Sequence, residues 1–295
     1  MGELAALSAA FLWALSSILF SVSGKQIGSA SLNRIRLSFA LIFLLITHII
    51  LYRTPLPIDA SLDQWIWLGL SSLIGLVIGD LLLFQSFIMV GPRLAMLVMA
   101  ITPVISTLFA WIFLSETLSI FQLSGIFLTI SGIAIVILDR NNSQNLIYTE
   151  RHKWIGILFG VGAALGQSIG LIFAKKGLPP EFPAISGVVI RVLVATISVW
   201  IFAIVTKQFK KSFQQIKLFP NAIKFALLGS MVGPFIGVWL SLVAVQFAKV
   251  GIASTLMALT PIFHLPVAAF LKEKISKQAI FGTLLAMVGV AIIFL

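Results

Sequence analysis

The chain has no cysteine and few charged residues: 9 acids, 20 lysines and arginines and 3 histidines in 295 residues. Without cysteine there is no disulfide framework and no thiolate metal site. His48, His152 and His264 fall on unrelated segments. No metal and no cofactor is therefore expected. Charged residues make up 10% of the chain, against about 25% in a soluble domain. Such a chain cannot dress its outside for water. Acids are the scarcer sign, which leaves a net charge of +11. A nucleic-acid-binding chain would gather its cations on one face of a folded domain. Here they stand singly or in small groups between apolar runs. No nucleic acid is expected, and basic loops facing an anionic inner leaflet account for the charge.

What the chain has in abundance is apolar sequence: 60% hydrophobic residues and a mean hydropathy of +1.13. The runs are 4–22, 32–51, 65–90, 94–114 and 121–138, then 154–174, 183–206, 223–247, 252–271 and 279–295. A polar stretch, Asp139–Lys153, separates the two sets of five. Continuous apolar runs of about 20 residues match membrane-spanning helices, whereas barrel strands alternate over about 10. Trp65, Trp67 and Trp154 begin runs, where indoles favour the interface. The run from Leu4 lacks a basic segment before it, so no cleavable leader is expected.

The halves resemble each other. The first ends with Thr102-Pro103, Phe113-Leu114-Ser115-Glu116, Gly125 and Gly132; the second with Thr260-Pro261, Phe270-Leu271-Lys272-Glu273, Gly282 and Gly289. Arg36 and Arg191 begin the second run of each half, and Gly75 and Gly79 match Gly233 and Gly237. An odd number of spans per repeat makes the halves insert in opposite orientations, as in many secondary transporters. The expected fold is an all-α integral membrane protein of ten transmembrane helices in a 5+5 inverted repeat, with repeats at 1–138 and 154–295 and a linker at 139–153.

Pro103, the Phe-Leu-Ser-Glu segment, the trailing glycines and their second copy resemble the EamA domain of the drug/metabolite transporter superfamily. Gly79-Asp80 with Phe84, Gly91 and Arg93 is similar to one subgroup. The resemblance implies ten helices, a central cavity lined by spans 1, 3, 4, 6, 8 and 9, and alternating access in a bacterial or archaeal inner membrane. It leaves the substrate open among amino acids, nucleotide sugars, drugs and other metabolites. Lys272 departs from the usual small residue before the acid.

Several residues carry candidate chemistry. Asp80 lies deep in the third run, where a carboxylate costs about 2.5–3.5 kcal/mol on insertion scales. It reads as a proton-coupling or substrate-cation site, or as a helix bridge to Arg36. Phe84, Trp13 and Trp239 offer aromatic faces for stacking, or ordinary packing. Gln85 and Gln167 orient a polar solute or tie helices together. Thr260 is a lining candidate, and His264, one turn beyond Pro261, a proton relay or a packing residue. Pro103 and Pro261 each remove a backbone donor within a span, making hinges or static kinks. Glu116 and Glu273 fall at span ends, where they pair with nearby cations or cap the following helix. The Gly156–Gly160 pair permits close helix approach or dimerisation, so monomer and homodimer both stay open.

Orientation is contested. Ten spans put Arg53, Lys175, Lys176 and Lys249 on the side of the termini, and the more numerous cations of the other loops opposite. The charge rule then places the termini outside the cytoplasm, whereas the family resemblance implies the reverse. With no nucleotide-binding motif, the expected activity is secondary transport of an amino-acid-like or drug-like solute, with possible proton coupling. The alternatives are a lipid or isoprenoid flippase and a membrane-embedded enzyme; the latter would need a clustered catalytic constellation that the sequence does not offer.

Overall fold

The computed structural model describes residues 1–138, 150–263 and 276–294. His264, Lys272, Glu273 and most of the expected linker lie outside them. The described backbone is helical throughout, with no strand. The elements are α1 (Gly2–Ile27), α2 (Ser29–Tyr52), α3 (Leu62–Ser71), a π segment (Ser72–Gly79), α4 (Asp80–Met99), α5 (Thr102–Leu114) and α6 (Ile120–Leu138). After the undescribed stretch come α7 (Glu150–Lys176), α8 (Ala184–Val205), α9 (Phe209–Leu218) and α10 (Pro220–Ser230). A second π segment (Met231–Gly237) leads into α11 (Val238–Phe247), α12 (Val250–Met257) and α13 (Lys277–Ile293).

Among the described residues, seven helical stretches are long and apolar enough to cross a membrane, and three more apolar helices, Thr102–Leu114, Val250–Phe263 and Lys277–Ile293, are shorter. Their outward faces carry Phe127, Leu158, Ile201 and Phe281, all exposed, as expected where lipid replaces water. Helix starts follow local polar chemistry. Ser61 and Gln64 exchange side-chain and backbone bonds to open α3, and Ser119 and Gln122 do the same before α6. This is the capping box, which satisfies two orphan donors at once. The break expected between residues 90 and 94 is not a break of the helix. α4 runs through Gly91-Pro92, and the non-helical turn comes at 100–101. A proline removes a single ladder bond and need not end a helix.

The chain divides into two compact units, each drawing on both sequence halves: residues 1–73 with 173–247, and residues 74–172 with 248–295. In the first, α1 runs antiparallel to the α10–α11 stretch: Phe20 meets Gly229, Ser16 meets Gly233 and Trp13 meets Gly237. The contact face of α1 is a stripe of buried alanines, Ala6, Ala9, Ala10 and Ala14, which lets backbones approach without a hydrophobic driving force. α2 and α8 are antiparallel too. The Thr196 hydroxyl donates to the Leu37 carbonyl, Trp200 Nε1 to Ser38 Oγ at 2.9 Å, and His48 Nε2 lies 3.1 Å from Ser186 Oγ.

In the second unit α6 packs on α13 through the repeat-matched glycines. A Cβ on Gly132 would stand 2.5 Å from the Gly282 carbonyl, and one on Gly289 equally close to Thr129 N. No residue larger than glycine fits this crossing. α5 packs on α12, with Gly251 against Thr107. The Glu116 carboxylate accepts from the Val250 N–H at 2.7 Å. It thus caps the first turn of α12, where negative charge is favoured.

Candidate functional site

The polar residues that sequence placed inside spans gather where helices depart from α geometry. In the second unit the π segment ends at Gly79, and Asp80 is the first residue of α4. A π turn bonds i to i+5 and recurs at functional sites. Gln167 on α7 donates through Nε2 to the Gly75 carbonyl at 3.2 Å and to Asp80 Oδ1 at 3.0 Å. One amide therefore holds both the widened turn and the half-buried carboxylate that follows it. The approach is close because Gly166, one residue earlier, presents no side chain. A Cβ there would lie 3.0 Å from the Ile74 carbonyl and 3.2 Å from Gly79 Cα.

The next residue of α7 reaches the second irregularity of this unit. Ser168 Oγ lies 3.2 Å from the Thr102 carbonyl, at the restart of the helix carrying Pro103, and 3.1 Å from Ser106 Oγ. Sequence reasoning passed over Ser168 and Ser106. Their only signal is a small hydroxyl in an apolar run beside Gln167. Pro103 and Pro261 both sit at the second residue of a helix restarting after a two-residue turn, at 100–101 and 258–259. Proline is pre-organised for such a start. Thr260 Oγ1 donates to the Met257 carbonyl at 2.9 Å. That carbonyl stands four residues before Pro261, and the ring nitrogen cannot serve it.

In the first unit the π segment Met231–Gly237 contains Pro234 and meets α1. Trp13 lies edge-on against Gly237, where a Cβ would be 2.8 Å from its Nε1 and Cδ1. Trp239 stacks on Phe235 at 6.4 Å between ring centroids, and Phe235 in turn meets Phe43. Counted from the start of each repeat, Trp13 corresponds to Gly166, one place before Gln167.

The candidates thus divide. Asp80 and Gln167 are in direct contact. Phe84 is half-buried one turn along α4, and Gln85 beside it is exposed. Trp13 and Trp239 belong to the aromatic surroundings of the other π segment, and Thr260 with Pro261 to the second break. His264 lies outside the described residues. Arg36 donates to Asn33 Oδ1 and lies over the Phe20 ring. Gly156 and Gly160 receive α4 within the chain, against Val90 and Val98. Among the described residues no three histidines or acids gather as a metal would require.

The sequence model of the EamA-like transporter family matches residues 1–138 and again 154–295. No curated protein matches the chain. A crystal structure described only as that of a protein is 14% identical, covers 99% of this chain and 94% of its own, and superposes with a TM-score of 0.77. That likeness shows the fold. The family match spans both halves and agrees with the paired glycines and Thr-Pro elements, so the chain belongs to the EamA-like transporter family and is a multi-pass integral membrane protein.

Proposed function

We propose that the protein is a secondary transporter that moves a small organic metabolite, amino-acid-like or drug-like, by alternating access. On this reading the seven long and three shorter apolar helices are ten crossings, and residues 1–138 and 154–295 are inverted repeats. A bacterial or archaeal inner membrane is the setting. Family membership supports transport as the activity. The observation that carries the mechanism is the placement of non-α backbone. Each half has a π segment ending at a repeat-matched glycine and a two-residue turn before Thr-Pro. Broken helices at matched positions are where transporters of this kind bind solute and flex.

Asp80 is the coupling or charge-recognition group in this proposal, with Phe84, Gln85, Gln167, Trp13, Trp239 and Thr260 as candidate solute contacts. A carboxylate that gains a proton loses most of its hold on the Gln167 amide. Protonation and the shape of the Ser72–Gly79 turn are thereby linked. The test is solute flux into proteoliposomes, using metabolites chosen by thermal stabilisation of the purified protein, since a ligand of the folded state raises its apparent stability. Saturable flux of one solute class supports the reading. Lipid scrambling without solute flux in the same vesicles would replace it with a flippase.

A further inference from the structure

The first unit carries one helix that does not count among the apolar spans. α9 has only ten residues and is too short to cross a bilayer. Phe209 and Phe213 lie one turn apart on it, both exposed; their ring centroids are 5.0 Å apart and lie 5.4 and 5.7 Å from that of Trp200 on α8. Lys210 and Lys217, both exposed, lie on the flank beside that aromatic pair. The helix is pinned from beneath. Buried Arg34 on α2 donates from Nε to Ser212 Oγ at 2.9 Å and from its terminal nitrogens toward Gln208 Oε1. An aromatic face flanked by lysines, on an anchored axis, is the pattern of a helix lying in the plane of a membrane interface.

The packing of this unit also sorts its charges. Ile27, Leu32 and Ile35 form one cluster with Ala222 and Ala226, so the α1–α2 turn and the α8–α10 connection share one end. Residues 20–40 and 206–224 of that end contain eight lysines and arginines and no acid. The other end gathers the start of α1, the α2–α3 connection and the α7–α8 connection. His48 there reaches the Thr54 carbonyl, Lys176 lies over Trp67, and Lys175 donates to the Val245 and Gln246 carbonyls. Its segments 1–5, 52–67 and 173–183 hold three basic residues, Arg53, Lys175 and Lys176, against four acids. Both counts come from the geometry of one unit and need no span number.

We propose that α9 is an interfacial anchor bound to anionic phospholipid headgroups, that its end of the first unit faces the cytoplasm, and that the Gly2 end of α1 faces away from it. Lysines in short loops fix orientation, and the anionic inner leaflet attracts cations held near its surface. This is opposite to the orientation implied by family resemblance. It does not depend on which solute is carried.

The chain's lack of cysteine makes the test direct. Ile58→Cys and Gln214→Cys place one thiol at each end, both at exposed positions. In intact cells a membrane-impermeant maleimide should label Ile58→Cys, and should reach Gln214→Cys only after permeabilisation. Labelling in the reverse order, or of both at once, overturns the proposal. The full-length Gln214→Cys protein, carrying a fluorophore and reconstituted in phosphatidylcholine vesicles, then reports lipid choice. Spin-labelled phosphatidylglycerol should quench it several-fold more than spin-labelled phosphatidylcholine. The difference should collapse in high salt and in the Lys210→Gln/Lys211→Gln/Lys217→Gln variant. Equal quenching by the two lipids overturns the anchor even if the labelling order holds.

Discussion

The two π segments solve one backbone problem with different chemistry. Ser72–Gly79 and Met231–Gly237 end at repeat-matched glycines, and each meets a residue near the same position of the other repeat's first helix. One of those residues is Gln167, which offers two hydrogen bonds to a carbonyl and a carboxylate. The other is Trp13, which offers an aromatic edge. The position after the glycine is Asp80 in one and Val238 in the other. Duplication has kept the widened turn, which needs only glycine and a close neighbour. It has let the side chains around the turn diverge, so one copy is electrostatic and the other apolar. An asymmetric pair of this kind places any proton-linked step on one side alone.

The comparison breaks most sharply at the residue after each glycine. Asp80→Asn keeps the shape and the bond from Gln167 but removes the titration. The expected outcome is flux that no longer varies with pH, measured in proteoliposomes with an imposed pH gradient. Val238→Ala at the matching position should leave the pH profile unchanged. A profile altered by Val238→Ala and untouched by Asp80→Asn would reverse the assignment.

Steric substitutions come next in size. A Cβ on Gly237 would meet the Trp13 ring at 2.8 Å, whereas one on Gly79 would meet the Ile74 carbonyl at 3.1 Å. Gly237→Leu should cost about 1–3 kcal/mol or more through overpacking, read as a lowered Tm in detergent. Trp13→Ala should recover part of that loss, because the obstacle is a side chain. No such rescue is available for Gly79→Leu, whose nearest obstacle is backbone.

Gln167→Ala sharpens the electrostatic half. It strips the Gly75 carbonyl and Asp80 of a shared donor, and losing the side-chain donor to a buried carbonyl costs about 1–3 kcal/mol. Trp13→Phe, its counterpart, removes one indole N–H and most of the ring remains, so its effect on Tm should be the smaller.

Much of this was legible in sequence for physical reasons. Apolar runs of span length, the Thr-Pro elements and the trailing glycines are constraints that a bilayer and a close helix crossing impose on composition. Gly125 and Gly132 could be read as crossing residues because nothing larger fits. Glu116 was legible as a cap only of the helix that follows it, whereas the N–H it accepts from is that of Val250, at the start of α12 in the other half. The π segments could not be read. Their extra residue per turn changes hydrogen-bond partners and leaves composition alone, so Gly75 and Gly79 looked like ordinary small residues. Ser168 stayed hidden because its partner is a carbonyl, which carries no sequence signature. α9 escaped as a helix because its lysines left residues 207–222 outside the apolar runs at 183–206 and 223–247. The interleaving of the two halves into the compact units depends on contacts between distant segments, which no local pattern records.

The two Thr-Pro elements give the finest comparison. Thr260 Oγ1 serves the Met257 carbonyl that Pro261 cannot reach. Thr102 Oγ1 is buried and has no hydrogen-bond partner among the described residues, although the Thr102 carbonyl receives Ser168. Equal sequence therefore conceals unequal energetics. Thr260→Val should leave a buried carbonyl without its donor and cost about 1 kcal/mol. Thr102→Val removes a hydroxyl that gains nothing from its surroundings, and burying such a group unbonded is itself unfavourable. Its expected effect on Tm is nil or a slight rise. Thermal unfolding of both variants in one detergent, with Thr102→Val/Thr260→Val to test additivity, checks the inequality. Equal losses at the two positions would mean that the two breaks are held in the same way.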